Sequence, residues 1–205
     1  MIAVDLPGAH VVFTDREQGD VREAAGLTVV EALAGRPLAR GTQVHGTAVR
    51  RVIEHEPELE EADGQATTRD DVAVMVQVAD CLPIAIAGDG GVAMLHGGWR
   101  GLANGVIEEG VLALQELGVS GPLAAVIGPG ARSCCYEVGD EVRDAFGVSS
   151  RTVDLPTMAA RALTGAGVGA IEDVACCTIC HEEYFSYRRE GEKAGRQAGI
   201  AWRTT

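Results

Sequence analysis

Two apolar runs rich in β-branched residues, Val72 to Ala79 (VAVMVQVA) and Val92 to Leu95 (VAML), lie close together near the middle of the chain. Runs of this kind, bounded by turn signals, read as buried strands, and two in succession commit the chain to a sheet-built core. Each run also delivers a metal-competent side chain to a break. The first ends at Asp80-Cys81-Leu82-Pro83, and the second ends at His96-Gly97-Gly98-Trp99-Arg100-Gly101. A third segment, Gln43-Val44-His45-Gly46, repeats the pairing of histidine with glycine. Taken singly, a histidine beside glycine is a turn residue and a cysteine after an apolar run is a small buried hydrophobe. Taken together at strand ends, where rigid scaffolds place reactive groups, His45, Cys81 and His96 are candidate metal ligands. Zinc takes Cys sulfur and His nitrogen, and a catalytic zinc keeps a fourth position open to water. Zinc is therefore the expected metal, with copper as the alternative because the affinity order favours it.

The chain has 205 residues, enough to bury a substantial core, and positions 1–205 read as a single domain. With 17 Lys+Arg against 30 Asp+Glu, its formal charge of −13 repels nucleic acid and anionic membrane. Arginines near the motifs act against that field, so Arg16, Arg100, Arg188 and Arg189 are candidate anion ligands. Solvated surface charge is the competing reading for at least one of the adjacent pair Arg188 and Arg189. The N-terminal segment shows neither a basic region nor a sustained apolar one, and Gln77, Asp80 and Pro83 interrupt the most apolar stretch. A cytoplasmic protein without a membrane span is expected. In that setting six cysteines read as thiols or metal ligands, with the adjacent pairs Cys134-Cys135 and Cys176-Cys177 mostly buried.

The acidic stretch Glu54 to Asp63 reads as a solvated loop between two strands. Gly101 to Gly118 carries apolar positions close to a helical stripe, which places the Gly97-Gly98-Trp99-Arg100 turn at a helix N-terminus where an anion is favoured. Leu123 to Ile127 reads as a strand, 140–146 and 156–163 as helices, and Val174 to Thr178 and Tyr184 to Arg188 as further strands. Strands and helices intermix without a regular βαβ repeat, which favours an α+β domain with a mixed sheet.

Cys177-Thr178-Ile179-Cys180-His181 matches the pattern of covalent haem attachment. No export signal accompanies it, and aromatic residues are only 4% of the chain, too few to wrap a haem. As half of a structural zinc site it lacks a second half, because Cys134-Cys135 has the wrong spacing for C-x-x-C. His181-Glu182-Glu183 imitates the H-x-E of nucleobase deaminases, but there the cysteines follow the histidine and here they precede it.

With Ile127-Gly128-Pro129, Tyr136-Glu137-Val138, Cys177-Thr178 and Phe185-Ser186-Tyr187-Arg188-Arg189, the three metal-competent segments form an ordered motif set. From about Thr14 to Trp202 the chain resembles a bacterial family described variously as laccase-domain or polyphenol oxidase protein, purine nucleoside phosphorylase with adenosine deaminase activity, and peptidoglycan editing factor. The resemblance implies that His45, Cys81 and His96 are the metal ligands. It also implies an α+β fold, with a mixed β-sandwich core flanked by helices. Two departures stand out: Phe13 to Gly19 is a loose version of the family's N-terminal motif with a short segment after it, and Gly97 replaces the usual alanine.

The family's activities imply adenosine, inosine or methylthioadenosine as substrate, with phosphate displacing the base, and deamination of adenosine at the same metal. Arg100 and Arg188 are then expected to hold phosphate, with Arg16 a further candidate. Asp80 is the candidate for orienting an imidazole or moving a proton, against the alternative of a strand-end cap. Copper-dependent phenol oxidation is the enzymatic rival, yet a multicopper site needs on the order of ten imidazoles and the chain has five, at positions 10, 45, 55, 96 and 181. A metal-free hydrolase of peptidoglycan precursors, with Cys81 as nucleophile and His96 or His45 as base, is the third reading. No nucleic acid or membrane partner is expected, and oligomeric state is not legible.

Overall fold

The computed structural model describes residues 1–54 and 60–204. His55 and the centre of the acidic stretch lie outside the described residues. In chain order the elements are β1 (Ile2–Leu6), β2 (Ala9–Phe13), α1 (Ala24–Ala34), β3 (Leu38–Ala39), β4 (Val49–Arg51), β5 (Gly64–Thr67), β6 (Ala73–Val78), β7 (Leu82–Asp89) and β8 (Gly91–Gly97). There follow α2 (Trp99–Asn104), α3 (Val106–Glu116), β9 (Ser120–Ile127), α4 (Asp140–Phe146), α5 (Leu155–Gly165), β10 (Val168–Asp173), α6 (Tyr187–Glu190) and β11 (Gln197–Arg203).

The strands form two sheets, one ordered β1-β2-β11-β6-β3 and the other β10-β9-β7-β8-β5-β4. Both are mixed, since β3 runs parallel to β6, β10 to β9 and β4 to β5, while the remaining pairs are antiparallel. The sheets face each other across Val11, Phe13, Val74, Val76, Met94 and Val126. A second cluster packs α3 and α5 on the outer face of the larger sheet through Leu95, Ile107, Leu114 and Leu163. A third packs α1 on the smaller sheet through Val30, Met75 and Ile200. The result is a single α+β domain, a β-sandwich with helices outside it, as the motif resemblance implies. Strands covered on both faces lose the polar/apolar alternation of a half-exposed sheet, which is why β6 and β8 read as continuous apolar runs.

Glycine sets the spacing of the two sheets at two points. A Cβ at Gly199 on β11 would lie 2.5 Å from Pro83 Cβ, and one at Gly128 would lie 2.5 Å from the Phe13 ring. These contacts join opposite sheets, so a methyl at either site would push them apart.

Several sequence expectations change in the folded chain. The helix expected over Gly101 to Gly118 is two helices, because Gly105 takes a φ of 100° between α2 and α3. Val174 to Thr178 makes no strand; the strand is β10, an exposed-edge segment immediately before it. Tyr184 to Arg188 alternates like a strand but ends in the single helical turn α6, capped by the Ser186 hydroxyl, which accepts from the Arg189 N–H. Among the described residues no helix is long and apolar enough to cross a membrane.

Leu95 is fully buried between β8 and α3, against the bare backbone of Gly110. Leu95→Ala is expected to cost about 2–5 kcal/mol, read as a lowered urea midpoint with an unchanged slope.

Candidate metal centre and active site

The ligand atoms of His45, Cys81 and His96 lie within 4.8 Å of one another. Cys81 Sγ is 3.8 Å from His45 Nε2, and the two imidazoles meet edge to face with centroids 4.7 Å apart. Three different local structures deliver them. His96 is a residue of β8, paired with Pro83 of β7, so the sheet fixes its backbone and the Gly-Gly turn begins only after it. Cys81 occupies the tight junction between β6 and β7, beside Asp80 with its φ of 86°. His45 sits on the loop between β3 and β4 with a φ of 61°. Left-handed backbone at a non-glycine residue costs about 1–3 kcal/mol and persists only where the surroundings enforce it.

For His45 the enforcing group is Asp63, at the start of β5 and fully buried. Its Oδ1 accepts from the His45 N–H at 2.9 Å and its Oδ2 accepts from Gly46 at 2.7 Å and Val44 at 3.1 Å. The same Oδ1 accepts from His96 Nδ1 at 2.6 Å, leaving Nε2 as the free nitrogen of that ring. A ligating histidine that donates its other nitrogen to a carboxylate is the usual supporting arrangement at metal sites. Burial by itself would raise the Asp63 carboxyl, but the donors from His96, Gly46 and Val44 outweigh it and hold it below the ordinary carboxylate range. Asp63, the last residue of the acidic stretch expected to be a solvated loop, is instead enclosed by these donors.

Burial also opposes ionisation of the half-buried Cys81 thiol, yet the facing His96 and His45 imidazoles bring it down to about 6. Reciprocally, His96 is raised to about 9 against its own burial by the Cys81 sulfur and Asp63. A thiolate at neutral pH is the form that binds metal or attacks carbon. The backbone leaves room for this cluster only because residue 98 is glycine: a Cβ there would lie 2.8 Å from His45 Cδ2 and 3.4 Å from Cys81 Sγ. Converging soft donors, a carboxylate behind one of them and a bare backbone beside them fit a zinc or copper ion held by three protein ligands.

The three side chains open onto a cavity of about 490 Å³, whose lining includes Trp99, Arg100, Tyr136, Tyr187, Arg188 and Arg196. Arg100 lies over the Trp99 ring at 4.3 Å and reaches Glu141 at 3.2 Å. Arg188 lies over Tyr136 at 5.1 Å and donates to the Glu137 carbonyl at 2.7 Å. Arg196, which the sequence reading did not name, lies over Tyr187 at 5.9 Å. Arg16, expected among the anion ligands, is outside the lining. Its guanidinium donates to the carbonyls of Glu182 and Tyr184, pairs with Glu190 and covers Phe185, so it ties the segment 182–190 to the N-terminal strands. Arg189 is likewise a clamp rather than solvated charge, donating to the carbonyls of Thr178, Ile179 and Tyr184.

Asp80 reaches the cavity but meets neither imidazole. Its Oδ1 accepts from the Thr178 hydroxyl at 2.7 Å, and its Oδ2 accepts from the Ser186 hydroxyl at 3.1 Å and the Arg188 N–H at 2.7 Å. It braces the segments carrying Thr178 and Arg188, and the imidazole-orienting role expected of it belongs to Asp63. The cysteines also depart from expectation: of the adjacent pairs only Cys177 is buried. Glycine at 97 suits this chain, since a Cβ there would lie 2.8 Å from Ile84 Cδ1.

Asp63→Asn replaces an acceptor of four N–H groups by an amide that cannot accept on both arms. It is expected to weaken zinc binding by about 10–100-fold in competition with a chromophoric chelator, with the secondary structure retained.

The family model described as "Multi-copper polyphenol oxidoreductase laccase" matches residues 11–204. A protein of Pseudomonas aeruginosa named purine nucleoside phosphorylase is 37% identical, over 95% of this chain and 84% of its own length. One of Aquifex aeolicus bearing the same name is 35% identical, over 74% of this chain and 76% of its own length. Among solved structures, a Neisseria meningitidis protein of family DUF152 superposes with a TM-score of 0.84 at 29% identity, covering 100% of this chain and 99% of that one. YlmD of Geobacillus stearothermophilus superposes with a TM-score of 0.81 at 25% identity, over 97% and 93%. The extent of these matches, on a fold that brings the three motif side chains together, places the chain in the laccase-domain family that includes proteins named purine nucleoside phosphorylase.

Proposed function

We propose that the chain is a metal-dependent purine nucleoside phosphorylase acting on adenosine, inosine or methylthioadenosine, with adenosine deamination at the same site. The observation that carries the proposal is that His45, Cys81 and His96 share one cavity with the guanidiniums of Arg100, Arg188 and Arg196. In a chain of net charge −13, three arginines on one cavity create a local anion site against the overall field. The cavity lies in the size range of small-molecule sites, and Trp99, Tyr136 and Tyr187 offer flat apolar faces to a purine. The names of the relatives supply the substrate class.

In this reading Arg100 and Arg188 hold phosphate beside the ribose, and Arg196 adds charge on the opposite aromatic. A phosphate oxygen bonds to ribose C1′ as the bond from C1′ to the purine breaks. The purine leaves with the electron pair and takes a proton from solvent in the open cavity. His45, Cys81 and His96 would hold the metal, whose contribution is Lewis acidity and a lowered pKa for bound water. Asp63 fixes the His96 tautomer and the His45 turn, and Asp80 places the Arg188 backbone. Residues 1–205 act as one functional unit here, with zinc as the resident metal and copper as the alternative.

Copper-dependent phenol oxidation, suggested by the family's description, asks for more imidazoles than the described residues bring to the cavity. His10 is paired with Asp5 and lies beside Trp202, and His181 pairs with Glu183, both away from the cavity lining. Metal analysis paired with oxygen uptake on a phenol, and with phosphate-dependent base release, separates the readings.

His45→Ala, Cys81→Ala and His96→Ala are each expected to lower phosphate-dependent release of hypoxanthine from inosine by on the order of a thousandfold, with loss of the metal held by these three residues. Wild-type rates and metal content in all three would remove the assignment. Arg188→Ala is expected to raise the KM for phosphate by about 10–100-fold, the loss of a charged hydrogen bond, with a smaller effect on the KM for inosine.

A further inference from the structure

Four of the five remaining cysteines, on two loops, form a second cluster. The Sγ atoms of Cys134, Cys135, Cys177 and Cys180 lie within 4.8 Å of one another, with Cys134 at 3.5 Å and Cys135 at 2.6 Å from Cys180. We propose that these four thiols are a tetrathiolate zinc site, separate from the His45/Cys81/His96 centre, that ties together the two loops walling the cavity.

Size and spacing both favour a single ion. With zinc–sulfur bonds of about 2.3 Å, a tetrahedron places its sulfurs about 3.8 Å apart, inside the span observed. Cys177-Thr178-Ile179-Cys180 has the C-x-x-C spacing of one arm of a structural zinc site, and the backbone N–H groups of Cys180 and Arg132 both reach the Cys177 sulfur. Linear spacing hides the other arm, because Cys134-Cys135 is a doublet and not a C-x-x-C. The turn in which the Cys135 N–H and the Tyr136 N–H both donate to the Arg132 carbonyl puts both members of the doublet on the cluster. The loops are already in register: Gly130 bridges Cys177, donating to the Cys176 carbonyl at 3.2 Å and accepting from the Thr178 N–H at 3.1 Å. Four protein sulfurs fill a tetrahedral shell, which is the composition of a structural rather than a catalytic zinc.

The placement gives the ion something to hold. Tyr136, next to Cys135, lines the cavity, and Thr178, next to Cys177, donates to Asp80, which in turn holds the Arg188 backbone. An ion at the four sulfurs fixes the wall that carries Tyr136 and Arg188.

The test uses the full chain carrying Cys81→Ser, so that the first centre contributes no thiolate and its own failure is read separately. Purified under reductant with zinc present, this protein is expected to retain about one zinc per chain after desalting, and Cys177→Ser/Cys180→Ser added to it removes that zinc. Cobalt(II) in the Cys81→Ser protein is expected to give strong thiolate-to-cobalt charge-transfer bands and the intense ligand-field bands of a tetrahedral ion. If the Cys177 and Cys180 substitutions prevent folding, the exposed Cys134→Ser replaces them, and weaker charge-transfer bands are expected at unchanged circular dichroism. The proposal is overturned by natively folded Cys81→Ser protein that binds neither zinc nor cobalt, or by binding and spectra that survive loss of these cysteines. A Cys135–Cys180 disulfide mapped in metal-free protein kept under reductant throughout also overturns it.

Discussion

Asp63 is a buried carboxylate with four N–H donors on two oxygens, and the geometry of the candidate site depends on it. A carboxylate buried without partners costs several kcal/mol or takes up a proton, so a fully enclosed Asp63 persists only while its donors are in place. Three of those donors are the consecutive amides of 44–46 and the fourth is the His96 ring. One side chain immediately before β5 therefore holds a loop histidine in a left-handed conformation and sets the tautomer of a strand histidine. The thiol between them comes from a third place, the β6–β7 junction.

The sandwich supplies the rigidity that such a convergence needs. His96 and Cys81 are positioned by central strands of the larger sheet, whose both faces are covered, and glycines at 128 and 199 let the smaller sheet approach closely. Around that fixed floor the cavity wall is made from segments with little sheet pairing, bound to one another by side chains. Arg16 and Asp80 join stretches distant in sequence through carbonyls, hydroxyls or amides, and Arg189 closes the segment 178–189 on itself. The division matches what a small-molecule site requires: donors on inflexible strands and a lining that can be adjusted without disturbing the core.

Much of the candidate site was legible in the sequence because glycine marks His45 and His96 and the end of an apolar run marks Cys81. His45, Cys81 and His96 stand where bare backbone or a tight turn is needed, and local pattern reports such needs. The sandwich strands showed as apolar runs for the same reason that they are buried. Asp63 was not legible, since its meaning lies in donors from positions 44–46 and 96, and nothing adjacent to it tells a buried acid from a solvated one. Arg16 and Arg189 stand close to motifs, as anion ligands would, while the folded chain turns both to carbonyl oxygens. The segment Tyr184 to Arg188 alternates as a strand would, but the Ser186 cap and the absence of a partnering strand make it a helical turn. The doublet Cys134-Cys135 lacks the C-x-x-C spacing, and linear spacing says nothing about a second loop arriving beside it.

The turn carrying His45 has its shape written outside itself. Its amides are satisfied by a carboxylate immediately before β5 rather than by carbonyls of its own, and Gln43, just before it, is held by reciprocal bonds of 2.8 Å to the Gln77 backbone on β6. Such a loop is not a transferable module. Grafted onto another scaffold, residues 43–46 would carry the imidazole but not the instruction for where to hold it. Exchange of this segment between relatives preserves its geometry only where the recipient already has an acid at position 63 and an open backbone amide at position 77. For this part of the chain the unit of inheritance is a pair of strands and a loop, and substitutions at these positions are expected to be permissible only in combination.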